Sequence, residues 1–190
     1  MAAESNSTLK GYFNTGDKPT ETNFANLVDS CVNTDITVST NTSDDVNLVS
    51  LGVTTTSHKL FLTGTFAADV ILPQADTNNK GITITVMCAA ATAASGTIRI
   101  GFLETGSTVM VGQATIFSDT ADQNTSIAVP ATTKTLHLDS DAADHAGGDV
   151  GSIYIFHYYD TNKVFVDSRG FTTENAPAIS SNAFSDTGIS

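Results

Sequence analysis

"GITITVMC", residues 81–88, sends Ile82, Ile84, Val86 and Cys88 to one side of an extended chain and Thr83, Thr85 and Met87 to the other. A period of two with β-branched residues is the mark of a half-buried strand, because successive side chains leave a pleated backbone on opposite faces. The same alternation runs through "GTIRIGF" (96–102), where Ile98, Ile100 and Phe102 interleave with Thr97, Arg99 and Gly101. Val70 with Leu72, and Leu136 with Leu138, repeat it. "DTNNKG" (76–81) and "DTNK" (160–163) read as turns, since Asp at the first turn position bonds back to the backbone. Short strands without intervening helices predict a mainly β chain, an antiparallel β-sandwich of jelly-roll-like type.

"SIYIFHYY" (152–159) departs from the pattern because both of its faces are apolar. Ile153, Ile155, His157 and Tyr159 make one face, and Tyr154, Phe156 and Tyr158 the other. Such a strand is expected to be covered twice, by the opposite sheet and by an arm or a neighbouring subunit. "KVFVDS" (163–168) should pair back on it as a hairpin. After Gly170 both periods are lost, so residues 171–190, beginning at Phe171, read as an extended tail lying on another surface.

Upstream, "YFNTGDKPTETNFANLVDSC" (12–31) is the helical exception. Thr20 is the N-cap and Glu21 an acid in the first turn, where the helix dipole favours it. Phe24, Leu27, Val28 and Cys31 recur at one-face helical spacing. So short a helix is marginal alone in water and must pack on something. Its apolar face either covers an open end of the β-domain or binds a neighbouring copy or a particle surface. The chain thus divides into an N-terminal arm and amphipathic helix (1–34), a β-domain (35–170) and a C-terminal tail (171–190).

Composition narrows the function classes. A length of 190 residues suffices for a core that needs neither metal nor disulfide. The net charge of −12, with 20 acids against 8 scattered bases, argues against nucleic acid, whose phosphates call for clustered Lys or Arg. "MAAESNSTLK" lacks the basic and apolar regions of a leader, and no apolar run reaches membrane-spanning length, so synthesis and folding in a cytosol, with no membrane partner, is expected. Cys31 and Cys88 permit one disulfide, although two buried thiols suit a reducing compartment better.

Catalytic and metal-binding patterns are poor. "DSDAADHAGGD" (139–149) groups Asp139, Asp141, Asp144, His145 and Asp149, oxygen ligands of the kind calcium takes, but without the spacing or closing acid of an EF-hand loop. It reads better as a solvated acidic loop. His58, His137, His145 and His157 each stand alone in the sequence. There is no nucleophile elbow, phosphate loop or dinucleotide fingerprint. Two carboxylates from distant loops could make a glycosidase, yet only Glu4, Glu21, Glu104 and Glu174 add to the aspartates. The expectation is a protein that is not an enzyme and uses no cofactor or metal.

Two segments carry a resemblance. "YFNTGDKPTETNFANLVDS" resembles a short N-terminal module of tailed-bacteriophage virion structural proteins, matched at Tyr12, Phe13, Gly16, Asp17, Pro19, Thr20, Phe24, Leu27, Val28, Asp29 and Ser30. "VILPQADTNNKGITITV" followed by "GSIYIFHYYDTNKVFVDSRG" is similar to β-domains of phage fibre, spike and head-surface proteins, through Leu72–Pro73, Gly81 and Gly170. Where such domains often carry Trp in the last strand, this chain has Phe165. The resemblance implies a virion component made in the host cytoplasm. Its implied partners are the major capsid protein and copies of itself, as a homotrimer. A capsid decoration (cement) protein is the first expectation, and a tail-fibre, tail-spike or other tail component binding host glycans is the alternative. The contact residues expected are Tyr12, Phe13, Phe24, Leu27, Val28, Cys31, Tyr154, Phe156, Tyr158 and Phe171.

Overall fold

The computed structural model describes residues 20–24, 35–40, 44–53, 56–63, 66–92, 98–118, 123–139, 145–173 and 183–190. The strands are β1 (Asp35–Thr40), β2 (Val46–Asn47), β3 (His58–Thr63), β4 (Val70–Ile71), β5 (Thr83–Cys88) and β6 (Ile98–Gly101). They continue as β7 (Val109–Ser118), β8 (Asn124–Val129), β9 (Thr135–Leu138), β10 (Ile153–Tyr158), β11 (Lys163–Thr172) and β12 (Phe184–Ser185). They form a seven-stranded sheet in the order β1-β3-β5-β10-β11-β7-β8 and a five-stranded sheet in the order β12-β9-β6-β4-β2.

The chain is mainly β, as the alternation predicts, but the sheets are mixed and not antiparallel. β1, β3 and β5 run parallel in the large sheet, while β2, β4 and β6 run parallel in the small one. The first six strands therefore wind as three successive turns, each giving one strand to each sheet. Parallel neighbours need a long crossover, commonly a helix; here a short strand in the other sheet serves as the crossover. A parallel bridge between Phe66 and Thr92 joins the second and third turns between the two sheets. From β7 onward hairpins return: β7 with β8 and β10 with β11 are antiparallel, the latter through the turn at residues 159–162. The β11–β7 pairing is parallel again.

One hydrophobic cluster draws on both sheets. The large sheet contributes Leu60, Leu62, Ile84, Val86, Met110, Ile116, Val164 and Val166, and the small sheet Val70, Ile98, Ile100, Leu136 and Leu138, with Phe66 and Phe102 on connecting segments. Every inward set predicted by alternation in β5, β6 and β9 is buried.

A repeated carboxylate device pins the turns. Asp45 precedes β2 and accepts the backbone N–H of Asp69 (3.0 Å). Asp69 precedes β4 and accepts the backbone N–H of Arg99 (2.8 Å) in the next turn. Each side chain thus satisfies a backbone donor one turn along, at equivalent positions of the winding.

The C-terminal segment corrects the reading of a tail laid on another surface. β12 pairs with β9, and Ile189 bridges to Leu103. Ala183, Phe184 and Ile189 are buried within the chain. The β-domain also runs past residue 170, since β11 ends at Thr172.

Candidate functional site

Among the described residues, the outward face of the seven-stranded sheet mixes apolar, charged and aromatic side chains. Register sets Phe61, Met87, Ile153, Arg169, Thr115 and Ser126 in one row across β3, β5, β10, β11, β7 and β8. A second row runs Lys59, Thr85, Ile155, Asp167, Gln113 and Ala128. Ile153, Ile155, Phe61 and Met87 are half-buried, and Phe165 is 41% exposed. An Arg169–Asp167 pair at 3.7 Å, its arginine exposed and its aspartate half-buried, crosses this apolar ground and, being largely solvated, contributes little to stability.

Two stacked ring pairs order the β11 side of this face. Phe117 and Phe171 stack at 5.5 Å between centroids. His157 lies 6.4 Å from Phe165, with its Nδ1 3.0 Å from the Thr83 hydroxyl. Beside Phe165, a depression of 330 Å³ is lined by Gly112, Gln113, Ser126, Ile127 and Ala128. An aromatic wall, an amide and a hydroxyl around small residues suit a ring or a side chain that is apolar on one face and hydrogen-bonding at its rim.

The second cluster lies on the small sheet. The Arg99 guanidinium donates from Nε (3.1 Å) and from Nη2 to Asp69 Oδ2. Arg99 pairs in register with His137, whose ring stacks 6.4 Å from that of His145. Burial holds the His137 pKa below its ordinary value, helped by the His145 imidazole and the Arg99 charge and opposed by Asp69. Neutral imidazole is therefore the form this site favours. Two of the four histidines that stand apart in sequence, His137 and His145, thus meet in space beside the Arg99–Asp69 ion pair. Among the described residues no three His, Cys, Asp or Glu side chains are placed to hold a metal ion.

The residues singled out from sequence fare differently. Thr20 caps the helical turn at 21–24, accepting the Asn23 N–H at 3.2 Å. Phe24 is 51% exposed. Tyr12, Phe13, Leu27, Val28 and Cys31 lie outside the described residues. Tyr154, Phe156 and Tyr158 are buried in the chain's own core, which corrects their reading as contact residues. Their face of β10 looks inward, and the phenols are satisfied there by the carbonyls of Ala146 (3.1 Å) and Pro73 (2.9 Å). Burial pushes both phenol pKa values well up. The outward face of β10 is the one with Ile153, Ile155 and His157. Phe171 is half-buried on that same outward side.

The acidic loop is also corrected in its described part. Asp139 is buried, and residues 145–149 are tied by backbone bonds to β9 and β11, with Gly148 and Asp149 N–H groups both donating to the Phe171 carbonyl at 3.0 Å. Residues 140–144, with Asp141 and Asp144, lie outside the description. Cys88 is a buried free thiol whose pKa burial, with the Asp149 charge, pushes up to about 12.

Sequence reasoning missed Asp69, Arg99 and the winding they hold together. A signal was present: "DVNL" (45–48) and "DVIL" (69–72) are near repeats, and each opens a turn of the small sheet.

Compared with known proteins, the chain matches no family model, no curated protein and no solved structure.

Proposed function

We propose that this chain is a non-enzymatic structural protein of a tailed-phage virion, a capsid decoration (cement) protein that associates with the major capsid protein and with copies of itself on the head surface. On this reading the two sheets are the layers of a β-sandwich, a rigid slab that presents contact surface. The observation that carries the proposal is the outward face of the large sheet, where Phe61, Met87, Ile153, Ile155 and Phe165 sit half-buried or exposed across neighbouring strands. Apolar ground of this kind is what an interface of about 800 Å² per partner uses. Phe24, exposed near the N-terminus, supplies a second contact. Several weak contacts on one particle act together, since each closes at high effective concentration once the first is made. The sequence resemblance supplies the virion context.

A second reading, a tail component that binds host glycans, is favoured by one feature: the depression beside Phe165. An aromatic face with Gln113 and Ser126 at its rim suits a sugar ring, which offers C–H groups on one side and hydroxyls at its edge.

Copy number on purified virions tests the proposal. Hundreds of copies per particle support decoration, and a handful supports the tail. Binding of the purified protein to expanded empty heads and not to host cells supports the first reading, and the reverse overturns it.

A further inference from the structure

The seven-stranded sheet ends at β8, and among the described residues no strand lies beyond it. The Ser118 N–H donates to the Gln123 carbonyl at 2.9 Å. In the β7–β8 register this makes Ile116–Thr125, Ala114–Ile127 and Gly112–Val129 the hydrogen-bonded pairs, because such pairs alternate along an antiparallel ladder. The Thr115 and Ser126 hydroxyls, 2.7 Å apart, lie at one of the intervening non-hydrogen-bonded positions. Asn124, Ser126 and Ala128 therefore turn their backbone N–H and C=O groups away from β7, toward the side where, among the described residues, no strand lies.

Natural edge strands are commonly protected by Lys, Pro, bulges or inward charges. β8 has none of these side chains: "QNTSIAV" (123–129) is uncharged, and Pro130 follows it. In a chain of net charge −12, an uncharged edge is where two copies approach with least repulsion. The outward-facing groups are also symmetric about Ser126. Antiparallel pairing with a second β8 places Ser126 opposite itself and Asn124 opposite Ala128, each a hydrogen-bonded pair. On the inner face it sets Ile127 against Thr125 of the other copy. Ile127 packs against the core while still partly exposed, so the added strand would complete its burial.

We propose that β8 is a self-association edge: two copies join antiparallel across it, on a twofold axis at Ser126, into one continuous sheet. The contact is isologous and closed, so it yields a dimer without open-ended growth. Its symmetry differs from the threefold association that the sequence resemblance implies, and it holds whether the particle site is head or tail.

Full-length protein in a Cys31→Ser background tests it. Light scattering on the parent should give a dimer mass. Ser126→Cys should then give a disulfide-linked dimer under mild oxidation, since hydrogen-bonded antiparallel partners have Cα atoms about 5.5 Å apart, within disulfide reach. Ala128→Cys alone should not cross-link, because its partner is Asn124, whereas mixing it with Asn124→Cys should. Ala128→Pro, which removes one outward donor and no β7 bond, should give a monomer with unchanged circular dichroism. A monomeric parent overturns the proposal. So does any oligomer whose mass survives Ala128→Pro and in which Ser126→Cys fails to cross-link.

Discussion

The hydroxyl of Tyr158 donates to the carbonyl of Pro73 at 2.9 Å, both groups buried, tying β10 of the large sheet to the chain leaving β4 of the small one. It is a polar strut within the core, as the Tyr154–Ala146 bond is. Tyr158→Phe keeps the ring and strands the Pro73 carbonyl, and a buried acceptor left unpaired costs about 1–3 kcal/mol. Urea unfolding should show that loss with an unchanged slope. A stability equal to that of the parent would mean that Pro73 finds another donor.

Gly112 sits in mid-strand β7 at φ +140°, and a Cβ there would lie 2.1 Å from the Val166 carbonyl oxygen in β11. Gly112→Ala must either shift β7 from β11 or distort the backbone, and it should destabilise the fold by at least about 2 kcal/mol. The melting temperature reads this directly. Ala114→Gly nearby, which only weakens packing, should cost less.

His137 carries a pH dependence whose sign follows from its lowered pKa. The folded chain holds this imidazole neutral more strongly than the unfolded chain does. Its stabilisation is complete above the ordinary value of 6.5 and is lost as pH falls through the lower folded value. The groups acting on it are His145, Arg99 and Asp69. Unfolding midpoints measured on either side of pH 6.5 should therefore drop more on acidification in the parent than in His137→Gln. Equal drops would assign the acid sensitivity elsewhere.

Phe24→Asp tests the proposed function. The side chain is half exposed, so the β-sheet circular dichroism should be unchanged while binding to expanded heads is abolished. Loss of the sheet signal would show that Phe24 supports the fold and not a partner contact. The β8-linked dimer should survive this substitution.

The division between sequence and structure is sharp in β5 and β10. Alternation alone assigned Ile84, Val86 and Cys88 to the core, and the interior holds them. In β10 both faces are apolar, and alternation cannot tell which one looks inward; Tyr154, Phe156 and Tyr158, expected as contact residues, form part of the core. Their buried hydroxyls needed carbonyl partners at Ala146 and Pro73, distant in sequence. The Asp69–Arg99 pair and the His137–His145 stack likewise join residues that no short motif connects.

What the sequence determined by itself was the local pattern: extended segments, their two faces, the turns at 76–81 and 160–163, and the Thr20 cap. A period of two is the same in a parallel and an antiparallel strand, because it comes from the pleat and not from the neighbour. Which strand lies beside which, and in which direction, is settled by hydrogen bonds between segments far apart in the chain. Only the tertiary structure could decide that β1, β3 and β5 wind in parallel, that the C-terminus closes on β9, and that β8 is left at the edge.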